Sequence, residues 1–184
     1  MLCDLQFKPP AVVRQSLKGQ IGTELASLSY LYGPDGFLPL AGRSDPIYQH
    51  NTLHGIDLSD ETLRLDYLRF FCFAVHGEGG PFMIHETVDT LELGAAVRDS
   101  EETAAIAAAV RPLEREPDLS QLPHELTYRA CVHFAGNLFT SRFSLDLTGM
   151  VAMLDDAPIA EHVAAKPAVC YAGHLRYAVV EGAA

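Results

Sequence analysis

The residues best suited to chemistry lie in two stretches of the last third of the chain, where polar and apolar residues alternate. Successive side chains of a strand point to opposite faces of a sheet, so each stretch gathers its polar residues on one face. Those residues are Thr127, Arg129, Cys131 and His133 in the first stretch and Thr140, Arg142, Ser144 and Asp146 in the second. A guanidinium can hold a carboxylate or phosphate through two hydrogen bonds, and an imidazole or carboxylate can move a proton.

A third stretch adds polar residues on a predicted strand of its own. The hypothetical ligand-binding set then consists of Arg129, His133, Arg142, Asp146, His174 and Arg176. The alternative is a solvated sheet face, on which cross-strand pairs such as Arg129 with Asp146 neutralise one another. We favour the solvated face, because antiparallel sheets commonly leave one face in water.

Other spacings that resemble known sites are incomplete. His50 and His54 are four residues apart, as zinc ligands on a helix are, but the metalloprotease pattern also requires a glutamate directly after the first histidine. His85 and Glu86 are adjacent and would point to opposite faces of a strand. The glycine cluster at 77–80 lacks the spacing of a phosphate-binding loop. The catalytic residues are therefore unknown, and neither a metal nor another cofactor is expected.

Charge and cysteine usage narrow the class of partner. The formal net charge is −11, and only three residues are lysine. Nucleic-acid binding needs a basic surface, so no nucleic-acid partner is expected. The four cysteines are scattered and none forms a C-x-x-C pair, which is typical of reduced thiols in the cytoplasm. No apolar stretch is long enough to cross a bilayer, so we expect a soluble cytoplasmic protein that does not bind membranes.

The most apolar segment of the chain follows Ser59. Ser59 is predicted to cap a helix, with Asp60 and Glu61 in the first turn, where exposed N–H groups favour negative charge. The helix then covers 63–75 and is predicted to end at Gly77, which adopts a left-handed conformation without strain. The aromatic-rich run also alternates in part, so a strand remains the alternative. The capping residues favour the helix.

The alternating stretches predict a β-hairpin. Gly136 and Asn137 are predicted to form its two-residue turn. In that register Tyr128 faces Leu145, and the large apolar residues of both strands share one face.

The predicted fold is α+β, with an antiparallel sheet whose helices pack on one face. The sheet comprises a C-terminal meander over 126–154, a strand over 168–180 and a strand near 82–90. A capped alanine-rich helix is predicted over 104–110. The proline- and glycine-containing segment 37–58 is predicted to be an ordered loop, and 155–166 a connector. The length suits a single domain over 1–184.

Two classes of function fit these observations. The first is a non-catalytic interaction or regulatory module that binds a second copy of itself or another protein. It is favoured because functional motifs are lacking and 48% of the residues are hydrophobic. The second is a protein that binds a small carboxylate or phosphate, or a proton-transfer enzyme, and uses the polar face of the C-terminal sheet. The fold alone does not decide between them.

Overall fold

The chain has an α+β fold in which helices accompany antiparallel sheets, as the sequence predicts. The computed structural model describes residues 17–21, 24–28, 30–33, 36–77, 79–91, 101–117, 125–163, 169–172 and 175–179. Two compact units make up the chain: unit 1 is Met1–Pro81 with Pro167–Ala184, and unit 2 is Phe82–Lys166. The single domain over 1–184 stays a prediction. None of the described helices is long and apolar enough to cross a membrane.

Unit 1 contains a four-stranded antiparallel sheet. Its strands are β1 (Leu17–Ile21), β2 (Glu24–Leu28), β12 (Val169–Ala172) and β13 (Leu175–Val179), and their order is β1-β2-β13-β12. The single strand predicted over 168–180 is therefore two strands, and they belong to this sheet rather than to the meander. That part of the prediction is wrong because alternation indicates a strand with two different faces but does not identify the strand with which it pairs.

The first helix of unit 1 corrects a prediction. Helix α1 (Asp45–His54) lies inside the segment 37–58 that was predicted to be a loop. Pro46 favours a helix start because its ring fixes a helical φ and the first turn does not need its missing N–H. Gly55 ends the helix with a φ of 75°. Unit 1 also contains two short hairpins: β3 (Tyr30–Gly33) with β4 (Gly36–Pro39), and β5 (His76–Gly77) with β6 (Gly80–Pro81).

The apolar segment after Ser59 is a helix, α2 (Glu61–Ala74), which confirms the favoured interpretation of 63–75. Asp60 rather than Ser59 caps it, because the Asp60 carboxylate accepts a hydrogen bond of 2.8 Å from the backbone N–H of Thr62. The C-terminal half is buried, as predicted: the buried residues are Tyr67, Leu68, Phe70, Phe71, Cys72 and Ala74. The helix ends at the extended Val75, before the predicted Gly77.

Unit 2 contains the predicted meander. Its elements are β7 (Met83–Ile84), a 3₁₀ turn (Val88–Thr90), α3 (Glu101–Ala109), β8 (Glu114–Arg115), β9 (Glu125–Phe134), β10 (Asn137–Asp146) and β11 (Val151–Ala160). The sheet order is β11-β10-β9-β7, and β8 also pairs with β9. The strand near 82–90 is therefore only two residues long. β11 extends into the predicted connector 155–166, since an edge strand tolerates Pro158.

The turn between β9 and β10 is displaced by one residue from its predicted position. Ala135 and Gly136 occupy it with φ values of 54° and 87°, as a type I′ turn requires at both central residues. Tyr128 consequently faces Phe143 instead of Leu145. The observed register differs from the predicted one by two residues. Because side chains alternate with a period of two, each side chain is on its predicted face.

The opposite face of this sheet is less polar than predicted. A buried cluster on unit 2 consists of Leu91, Ile106, Val110, Cys131, Leu138 and Val163. Cys131 belongs to the predicted polar face, and Ile106 and Val110 come from α3 and the residue that follows it. The helix therefore covers the end of the face near the turn. The charged residues Arg129 and Arg142 lie at the other end.

Candidate functional site

Arg129 and Arg142 are directly opposite each other on β9 and β10, so their side chains share one face of the sheet. Both guanidinium groups bind carboxylates. Arg129 Nη2 donates to Glu114 Oε1. Arg142 Nε donates to Glu116 Oε2 at 2.7 Å, and Arg142 Nη1 donates to Asp155 Oδ2 at 2.8 Å. Two arginines and three carboxylates thus form one cluster, which we call the ion-pair cluster.

The neighbouring strands position the carboxylates of the ion-pair cluster. β8 places Glu114 opposite Arg129, and β11 places Asp155 opposite Arg142. Glu116 follows β8, and its backbone N–H donates to the carbonyl of Thr127 at 2.8 Å, which continues the pairing with β9.

The ion-pair cluster is not a site of uncompensated positive charge. Hydrogen bonding to Glu114 raises the pKa of Arg129 above its ordinary value. Hydrogen bonds to Glu116 and, to a smaller extent, to Asp155 raise the pKa of Arg142. The formal charges are two positive and three negative, so an added carboxylate or phosphate would have to displace a carboxylate that is already bound.

Asp146 has a structural role at the end of β10. Its Oδ1 accepts hydrogen bonds from the backbone N–H of Thr148 at 2.8 Å, from the Thr148 hydroxyl at 2.7 Å and from the backbone N–H of Met150 at 2.9 Å. These bonds close the turn that leads into β11. Asp146 faces Glu125 rather than a residue close to Arg129, so the expected Arg129–Asp146 pair is wrong. The two-residue register shift is the cause.

Of the other predicted site residues, His133 is on β9 with Arg129 but lies at a distance from it. His133 lies four residues along β9 from Arg129, about 13 Å at the usual rise of a strand. Arg176 lies in β13, which belongs to unit 1 and pairs with β2 and β12. His174 lies outside the described residues.

A histidine pair that no local sequence pattern indicates lies at the other end of this sheet face. The ring centroids of His85 and His133 are 5.8 Å apart. The backbone N–H of His85 donates to the carbonyl of Cys131 at 2.9 Å, which continues the pairing of β7 with β9 and brings the two rings together. Because 48 positions separate them in the sequence, only the pairing of these strands could have indicated the contact.

Burial keeps both imidazoles of the histidine pair neutral near pH 7. It lowers the pKa of His85 to about 4, an effect that the nearby His133 increases and a hydrogen bond to Thr90 partly offsets. Burial also lowers the pKa of His133. His85 is only 7% exposed, so its ring is well shielded from water.

The other candidate chemical groups among the described residues are two histidines on α1 and two buried thiols. His50 and His54 lie on α1 after all, with ring centroids 4.8 Å apart. No group of three or more His, Cys, Asp or Glu in the described part of the chain is arranged to hold a metal ion. Burial raises the pKa of Cys72 to about 12 and of Cys131 to about 11, so neither thiol is a ready nucleophile at pH 7.

Unit 2 has an exposed apolar edge. Among the described strands, β11 pairs only with β10 and forms the outer edge of the sheet. Four large apolar residues on or just before β11 are between 43% and 51% exposed: Leu147, Met150, Met153 and Leu154. We call these four residues the edge patch.

Comparison of the chain with family models, curated proteins and solved structures finds no match in any of the three.

Proposed function

We propose that this protein is a non-catalytic interaction module that associates with a second copy of itself through the outer edge of β11. The observation that carries the proposal is the edge patch beside a ten-residue edge strand. An edge strand presents backbone groups that can pair with another strand, and proteins usually protect such edges with charge, proline or a covering element. Apolar residues on an edge therefore favour association.

The apolar face of the sheet extends to this edge. Tyr128, Phe143 and Met153 are neighbours on β9, β10 and β11. Tyr128 is fully buried and Phe143 is 3% exposed, whereas Met153 is 43% exposed. The row therefore ends at a half-exposed methionine. A second β11 placed alongside would extend the row and remove Met153 from water, which is worth roughly 25 cal/mol for each Å² of apolar surface buried.

The sequence of β11, together with the register shifts at Leu154 and Ile159 in its pairing with β10, limits the pairing to its first half. Asp155, Asp156 and Pro158 discourage pairing of the second half through charge and a missing N–H. An antiparallel pairing centred on Met153 would separate the two copies of Asp155 by four residues along the strands, about 13 Å. That separation exceeds the Debye length of about 8 Å in physiological salt. Asp155 also already pairs with Arg142.

The binding of a small anion at the polar face is less well supported. Arg129 and Arg142 were the donors expected for such a ligand, and both are engaged by Glu114, Glu116 and Asp155. An anionic ligand would have to displace one of these carboxylates. It would gain little binding free energy, because it would form the same ion pairs that the carboxylate already forms. In this proposal, Arg129 and Arg142 stabilise the sheet and do not bind a ligand.

The proposal locates the protein in the cytoplasm and includes no nucleic-acid or membrane partner. Cys72 and Cys131 are thiols in the described structure, as expected in a reducing compartment. The net charge of −11 would repel both nucleic acid and anionic lipid.

Analytical ultracentrifugation over a range of protein concentrations tests the proposal. We expect the wild type to form a reversible dimer and Leu154→Lys to remain monomeric at the same concentrations. Leu53→Lys is the matched control, because Leu53 is an exposed leucine on α1 in unit 1. A wild type that stays monomeric, or a dimer that Leu154→Lys leaves intact, would contradict the proposal.

A further inference from the structure

The histidine pair presents two buried ring nitrogens that have no hydrogen-bond partner among the described residues. They are Nε2 of His85 and Nε2 of His133. Leaving a buried polar atom unsatisfied is costly, so such atoms usually mark a bound water, ion or ligand. Two of them on neighbouring rings point to a shared ligand.

The hydrogen bonds of Thr90 define the tautomer of His85. The Thr90 hydroxyl donates its single hydrogen to the carbonyl of Thr87 at 2.7 Å. Thr90 Oγ1 lies 3.0 Å from His85 Nδ1 and must therefore accept a hydrogen bond from it. Nδ1 carries the proton, and Nε2 keeps its lone pair. This is the form in which histidine binds metals, with its other nitrogen oriented by a hydrogen bond.

The separation of the two rings suits one shared cation. Metal–nitrogen bonds are about 2.0–2.1 Å long, and a ring nitrogen lies about 1.1 Å from its ring centroid, so rings bound to one ion have centroids at most about 6.4 Å apart. The observed 5.8 Å lies within this limit. A hydrogen bond between the two nitrogens themselves is not formed.

The strand register places a sulfur-containing residue next to the pair. Met83 is directly opposite His133 in the pairing of β7 with β9. In the sequence, Met83 and His85 are two residues apart, which puts them on one face of an extended chain. Thioether sulfur favours Cu(I), and imidazole binds copper well.

We propose that His85, His133 and Met83 form a binding site for a single Cu(I) ion. Two imidazoles and a thioether are all uncharged ligands, which suits a soft monovalent cation in a buried site. Zinc is a poorer match, because structural zinc takes four ligands and catalytic zinc takes three from the protein, mainly thiolate, imidazole and carboxylate. Self-association of the chain is not required for this site, since all three residues belong to unit 2.

Competition for Cu(I) under anaerobic conditions tests the proposal. The purified protein is titrated against the coloured Cu(I) complex of bicinchoninate. We expect the wild type to remove one equivalent of Cu(I), and Zn²⁺ at the same concentration not to compete. His85→Asn retains a donor to Thr90 but lacks Nε2, and it should weaken binding by more than 100-fold. Thr90→Val removes the hydroxyl that orients the His85 ring, together with its bond to the Thr87 carbonyl, but leaves all three proposed ligands in place and should weaken binding about 10–100-fold.

Two controls locate the ion. His162→Asn changes an exposed histidine of the same unit and should bind Cu(I) as the wild type does. Cysteine thiols can also bind Cu(I), and removal of one equivalent does not show which residues bind it. ¹⁵N NMR of the imidazoles in the wild type tests this without a variant. Addition of Cu(I) should shift the Nε2 signals of His85 and His133. Unshifted signals, or an affinity that His85→Asn and His133→Gln leave unchanged, would overturn the proposal; signals that respond equally to Zn²⁺ would overturn the assignment to copper.

Discussion

Glu116 lies between Arg129 and Arg142, which face each other across β9 and β10. Its Oε2 is 2.7 Å from Arg142 Nε, and its Oε1 is 3.9 Å from Arg129 Nε. Like charges directly opposite each other destabilise a sheet, so a carboxylate shared by both guanidiniums compensates for an unfavourable pairing. Glu116 is also the least exposed carboxylate of the ion-pair cluster, at 16%.

Glu116→Gln should therefore be the most damaging single change in the ion-pair cluster. We expect a loss of about 1.5–2 kcal/mol in the free energy of unfolding, at the low end of the range for hydrogen bonds to charged groups. Asp155→Asn is the matched control, because Asp155 is 55% exposed and should cost less than about 1 kcal/mol. Urea unfolding measures both. Equal costs would show that the shared position of Glu116 has no energetic role.

The core of unit 1 can be tested at Phe71. Phe71 is 8% exposed and stacks on Tyr48 with ring centroids 5.6 Å apart. Phe71→Ala should cost about 3–5 kcal/mol, as large-to-small changes in cores do. Leu53→Ala on α1 should stay within about 0.5 kcal/mol, because Leu53 is exposed. Urea unfolding of both variants provides the comparison, and a small effect at Phe71 would contradict the buried helix.

The histidine pair should make stability depend on pH in the copper-free protein. The pKa of His85 is about 4 in the folded chain, whereas an ordinary histidine, as in the unfolded chain, has a pKa of 6.5. The unfolded chain therefore binds the proton first as the pH falls. The free energy of unfolding should therefore be highest above pH 6.5 and decline between pH 6.5 and 4. His133 contributes with the same sign, because burial lowers its pKa as well. Urea unfolding at several pH values should show a shallower decline for His85→Asn; an identical decline would contradict the assignment.

The amino-acid sequence predicts helix α2 and the faces of β9 and β10 well, because caps, turn residues and alternation are local signals. It fails where partners are distant in sequence. The alternation around Arg176 is correct evidence for a strand, but it does not show that β13 pairs with β2. The turn lies one residue before its predicted position because Ala135 adopts a positive φ that alanine rarely takes, whereas Gly136 and Asn137 are common turn residues.

The candidate site was predictable only in part for the same reason. Arg129 and Arg142 were placed on one face because a two-residue change in register preserves the face. Their partners Glu114 and Glu116 come from a short strand that carries almost no local signal. The proximity of His85 to His133 depends on the two-residue strand β7. Short strands of this kind form only when the rest of the sheet is in place.

Self-association should strengthen as salt is added. Each chain carries a formal charge of −11, so two copies repel each other at low ionic strength. Raising the salt from about 0.01 M to about 0.1 M shortens the Debye length from about 30 Å to about 10 Å and should reduce that repulsion. Sedimentation equilibrium at several salt concentrations should give a smaller dissociation constant at higher salt. The opposite trend would indicate an interface held by ion pairs rather than by the edge patch.

Hydrogen exchange of the β11 amides tests the central claim most directly, because it reports where association occurs. Exchange is followed by mass spectrometry at protein concentrations below and above the dissociation constant of the dimer. If two copies pair along β11, amides in the first half of the strand should exchange more slowly at the higher concentration, whereas those of α1 should not change. Leu154→Lys should abolish the difference. Dimer formation without slower exchange in β11, or equal slowing in Leu154→Lys, would contradict the proposed interface.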